Sequence, residues 1–76
     1  MPLIKRSLSL HGHRTSLALE PDFWQIIDGA SAFRNISLAR LIAEIDDSRD
    51  PNEALSSSVR VWALRQALLT AGQRDE

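Results

Sequence analysis

Arg14, Ser16 and Ala18 recur at every second position, so an extended backbone places a forked guanidinium, a hydroxyl and a methyl on one side of the chain. Arginine orients an anionic group through two parallel hydrogen bonds, and a serine two residues away adds a donor and an acceptor. Lys5 and Arg6 lie upstream, so residues 1–19 carry three cations and no acid, whereas residues 20–76 carry six arginines against ten acids. In a chain of net charge -1, the N-terminal segment is therefore the candidate anion-facing surface. The same residues admit a second chemistry. His13, Arg14 and Ser16, set near Trp24, would hold a small carboxylate or phosphate, and Glu20, Glu44 or Asp46 would take an ammonium group if these elements converge between subunits. An amino acid is the sensible ligand for that set.

Other chemistries lack their residues. His11 and His13 without cysteine do not make a recognisable metal site. There is no glycine-rich phosphate loop, no cysteine nucleophile and no serine elbow. Glu44 with Asp46 or Asp47 does not form a facing acid pair, because residues one or two apart on a helix point in different directions. No catalytic residue, metal or cofactor is expected. Trp24 and Trp62 read as core or interface anchors. Apolar runs are too short for a membrane span and the first ten residues lack a signal peptide's apolar stretch, so the expectation is a soluble cytoplasmic protein.

The elements that must position these groups follow from spacing. Seventy-six residues suffice for one domain with one small core. With no cysteine to form disulfides, self-association is the remaining source of stability. Residues 13–19 alternate strictly, with Thr15, Leu17 and Leu19 opposite Arg14, Ser16 and Ala18, and predict a strand. Residues 1–12 form either an arm or an extra strand, since Ser7–Leu10 alternates too and His11-Gly12-His13 could turn the chain. Pro21 and Asp22 suit a helix start, and Phe23, Ile26, Ile27 and Ala30 give the apolar stripe of a helix over 21–33. Asn35 can take a left-handed turn, and Ser37 can cap a second helix over 37–48 carrying Leu38, Leu41, Ile42 and Ile45. Pro51 interrupts the chain before a third helix over 56–71, with Gly72 as its stop. Leu55, Val59, Trp62 and Leu69 share one side of it and Val61, Leu64 and Leu68 another, so it should be buried both against its own core and against a partner chain.

An alternating strand, an acidic helix start, a short turn and a serine-capped second helix resemble the ribbon-helix-helix family of transcriptional regulators over Arg14 to about Ile45. The strings GHRTSLALEPDFW, SLARLIAEID and SSSVRVWALRQ are similar to a bacterial subgroup of short members with an added C-terminal helix. The resemblance implies a mainly α fold with one short strand, in which two copies intertwine as a homodimer. Their strands would pair into one intermolecular antiparallel ribbon, and the third helix leans towards a homotetramer. It also implies double-stranded DNA as partner: Arg14, Ser16 and Ala18 would face bases in the major groove, with Lys5 and Arg6 adding phosphate contacts. Asn35 and Ser37, at the start of the second helix, would anchor a phosphate. Ala18 stands where the family more often has a charged or amide side chain, and Asn35 where glycine is common.

Overall fold

The computed structural model describes residues 2–74, ordered as strand β1 (Ile4–Leu10), strand β2 (His13–Leu19), helix α1 (Pro21–Arg34), helix α2 (Leu38–Asp47) and helix α3 (Leu55–Arg74). The two strands form an antiparallel hairpin within the chain, registered from Ile4 opposite Leu19 to Leu10 opposite His13. Residues 1–12 thus supply the extra strand that was one of the two expectations for them, and a single chain holds a complete two-stranded ribbon where the resemblance implied one short strand per chain. The connection is the tightest available. His11 and Gly12 are its only residues, both with positive φ (51° and 82°), the conformation whose twist matches that of the flanking strands.

Period-two alternation then sorts the hairpin into two faces. Leu8, Leu10, Leu17 and Leu19 are buried beneath it, while Lys5, Ser7, Ser9, Arg14 and Ser16 are exposed on top. Below the sheet, β1 lies over α2 and β2 over α3, and α1 packs on both α2 and α3. The core is Leu8, Leu10, Leu17, Leu19, Trp24, Ile27, Leu41, Ile42, Ile45, Val59 and Ala63. At roughly 1.5–3 kcal/mol for each large side chain removed from water, this burial is the main driving force for the single-chain fold.

Local rules set the helix ends. Pro21 occupies the first turn of α1 with Asp22 beside it, and Asn35 closes the helix in the left-handed conformation (φ 57°), its N–H donating to Ala32 O. Ser37 caps α2, its hydroxyl accepting from the Arg40 N–H at 3.1 Å. Two details depart from the periodic reading. Trp24 and Ile27, rather than Phe23 and Ala30, are the deepest residues of α1, because β1 folds over Trp24. Helix α3 also continues past Gly72 to Arg74.

Candidate nucleic-acid interface

The outward face of the hairpin is built from cross-strand neighbours: Lys5 beside Ala18, Ser7 beside Ser16, and Ser9 beside Arg14. It carries two cations, three hydroxyls, one methyl and no acid. Small side chains fill its centre and the cations stand towards opposite ends. Among the described residues neither Lys5 nor Arg14 has an ion-pair partner within 4.0 Å. Such a face can approach an anionic surface closely, donating at both ends and offering hydroxyls between.

Arg6 does something else. Although it neighbours Lys5 in sequence, alternation turns it to the inner face, where its guanidinium stacks over the Trp24 ring at 4.2 Å. The same group reaches both carboxylate oxygens of Asp28, at 2.8 and 2.9 Å. The indole N–H of Trp24 in turn donates to Ile4 O at 2.7 Å. These contacts fasten β1 to α1, and the hydrogen bond to Asp28 raises the Arg6 pKa further above its ordinary value. The guanidinium of Arg6 is thus turned away from the outward face and anchors β1 to α1.

Ser37 and Asn35 sit at the entrance to α2 as the sequence placed them. The Ser37 oxygen is engaged in capping, which leaves its hydroxyl hydrogen to donate outward beside the free N–H groups of the first turn. Nearby, Arg34 grips Glu44 through two hydrogen bonds of 2.8 and 3.1 Å, and these hold the Glu44 carboxyl below the usual carboxylate range.

The residues considered for a small ligand are divided within the chain. Arg14 and Ser16 point outward from the sheet, whereas Trp24 is 2% exposed beneath it with its N–H already satisfied. Glu20 accepts from Arg60 at 2.9 Å, a hydrogen bond that lowers its pKa, and Asp46 accepts from Arg49 at 2.9 Å. His13 is exposed at the start of β2.

Sequence spacing gave no sign of another grouping, at the hairpin tip. His11 Nε2 lies 3.4 Å from Asp46 and 3.1 Å from Asp47, and one ligand atom from each of the three falls within 4.8 Å of the others. Arg49 already sits on Asp46, and the His11 contacts pin the tip to the end of α2. No helix among the described residues is long and apolar enough to cross a membrane.

Comparison with known proteins gives one positive result: the model of a family described as "Ribbon-helix-helix domain" matches residues 3–67. Neither the curated proteins nor the solved structures include a match to this chain.

Proposed function

The chain belongs to the ribbon-helix-helix family, and from that premise we propose that it is a DNA-binding transcription regulator, acting in the cytoplasm as a homodimer. Members of the family are typically DNA-binding, generally non-enzymatic regulators that dimerise. The observation that carries the proposal is the acid-free outward face of the hairpin. A two-stranded ribbon fits the major groove; there Arg14 can donate twice to a guanine edge, Ser16 can serve several bases and Ala18 can touch a thymine methyl. Lys5 supplies a phosphate contact, and the Asn35–Ser37 entrance to α2 supplies another. A second copy would add along the outer edge of β2, which among the described residues carries no backbone hydrogen bond, to give the order β1-β2-β2-β1.

Fluorescence anisotropy with genomic fragments tests this reading. Affinity should fall as salt rises, and Arg14→Ala should lose about 1–3 kcal/mol on the preferred sequence. Undetectable binding at low salt would overturn the proposal.

A further inference from the structure

The two elements that meet at the hairpin tip each carry a residue type that local rules disfavour. In a two-residue turn with positive φ at both positions, asparagine, aspartate and glycine are preferred, yet His11 fills the first position at φ 51°. Asp46 and Asp47 end α2, where the negative pole of the helix dipole opposes a carboxylate, and no basic residue shares that last turn. Arg49 donates to Asp46 Oδ1 at 2.9 Å, while among the described residues Asp47 has no lysine or arginine within 4.0 Å. Two carboxylates and a helix end thus share one arginine. Into this negative corner the turn brings an imidazole. His11 Nε2 lies 3.4 Å from Asp46 Oδ2 and 3.1 Å from Asp47 Oδ1, and neither contact is a hydrogen bond, because both oxygens lie off the line along which the ring nitrogen would donate.

We propose that His11, Asp46 and Asp47 bind a divalent transition-metal ion of the zinc type, which ties the turn of the ribbon to the end of α2. Atoms held at about 2.0–2.2 Å by a tetrahedral zinc stand about 3.3–3.5 Å from one another, and both distances from His11 Nε2 lie within a few tenths of an ångström of that range. In such a site the nitrogen's lone pair aims at the ion, between the oxygens rather than at either, in keeping with contacts that are close but not hydrogen-bonded. Asp46 is the fixed ligand. Its side chain is 20% exposed and its Oδ1 is held by Arg49, which leaves Oδ2 for the ion and supplies the outer hydrogen bond that commonly orients a ligating carboxylate. Asp47 is the adjustable one, 67% exposed and with a ligand atom within 4.8 Å of the others. One imidazole with two carboxylates suits zinc and its neighbours, whereas calcium takes about six to eight oxygens. The ion also brings two positive charges to the corner, where a proton on the imidazole would bring one. Three protein ligands leave a fourth position to water. Because the ion closes the long loop from residue 11 to residue 46, binding it stabilises the fold. It fastens β1 to the helix beneath without touching the outward face, so the inference does not rest on the DNA-binding reading.

Calorimetric titration of the full chain with zinc chloride is the direct test. One ion per chain should bind, calcium chloride at the same concentration should give no binding heat, and zinc at about 100 times its dissociation constant should raise Tm by roughly 10–20 °C. His11→Asn removes the imidazole and keeps a side chain that tolerates positive φ, and Asp47→Asn removes the charge of an exposed carboxylate. Each should retain the helical circular dichroism and bind zinc at least tenfold more weakly, whereas His13→Asn, across the turn, should bind it as wild type does. Zinc binding that is absent at millimolar ion, that survives both His11→Asn and Asp47→Asn, or that is lost equally in His13→Asn would overturn the inference. A chain that binds no zinc leaves the DNA reading standing, and one that binds no DNA leaves the metal site standing.

Discussion

Replacing Arg6 by methionine separates an anchoring residue from a DNA-contacting one, because Lys5, its neighbour, points the other way. Methionine keeps a long apolar stem over Trp24 but removes the guanidinium, and with it the stacking at 4.2 Å and both hydrogen bonds to Asp28. A cation over an aromatic ring contributes about 0.5–2 kcal/mol. The pair with Asp28 is bidentate, but its side chains are 36% and 49% exposed, so screening holds it to the surface range of about 0.2–1 kcal/mol. The expected loss is about 1–2 kcal/mol, which for a domain of this size is a fall in Tm of about 5–15 °C. Urea and thermal unfolding at fixed protein concentration measure it, since any self-association makes Tm concentration-dependent. Lys5→Met should leave Tm unchanged and instead reduce the slope of log affinity against log salt by about 0.9 for each phosphate that is no longer neutralised. The anchoring role is refuted if Arg6→Met is as stable as wild type and shows the slope change expected of Lys5→Met.

Three further outcomes follow from the same geometry. Gly12→Ala should lose about 1 kcal/mol, seen as a lower Tm, because a φ of 82° strains a residue with a Cβ even though the space around it is open. Leu17→Asp puts a charge at a 3% exposed position and should destabilise by more than about 4 kcal/mol, enough to abolish the circular dichroism of the folded state, whereas Ser16→Asp should fold normally and fail to bind DNA. Acid unfolding should depend on Glu20 and Glu44, whose pKa values are lowered in the fold by hydrogen bonds from Arg60 and Arg34. Their stabilisation is complete above the unfolded value near 4.5 and is lost as pH falls through the folded values, so a Glu20→Gln, Glu44→Gln protein should show a flatter acid limb in urea titrations; an unchanged limb would refute this.

Much of the architecture was legible because its causes are local. Strict alternation over His13–Leu19 states which side chains go under the sheet, and Ser37 and Asn35 mark helix ends through bonds to residues three positions away. What escaped the sequence depends on distant partners. An arginine on the inner face of β1 interrupts the apolar series of that strand; it is tolerated because Trp24 and Asp28, eighteen and twenty-two positions on, receive it. The ion pair of Glu20 with Arg60 and the contacts of His11 with Asp46 and Asp47 span forty and about thirty-five positions, and no spacing rule announces them. Likewise, the two-sided character of the third helix was visible as a pattern, but the groove beside it exists only once α1 and α3 are set side by side.

Forming the ribbon within one chain changes how a groove would be read. Lys5 sits opposite Ala18 and Arg14 lies four residues back along the same strand, so at about 3.3 Å per residue the two cations stand roughly 13 Å apart along the hairpin. That is close to the roughly 12 Å width of the major groove. A hairpin crossing the groove would bring Lys5 to one phosphate wall and Arg14 to the other, with the Ser7–Ser16 pair over the base edges; one running along it would bring Arg14 to a base. The first arrangement makes Arg14→Ala a uniform loss across sequences with a shallower salt slope, and the second makes it a loss of discrimination at one base pair with the slope retained. Affinities of Arg14→Ala for a small panel of single-base variants at two salt concentrations therefore decide how the ribbon lies, while the serine pair faces base edges in either geometry.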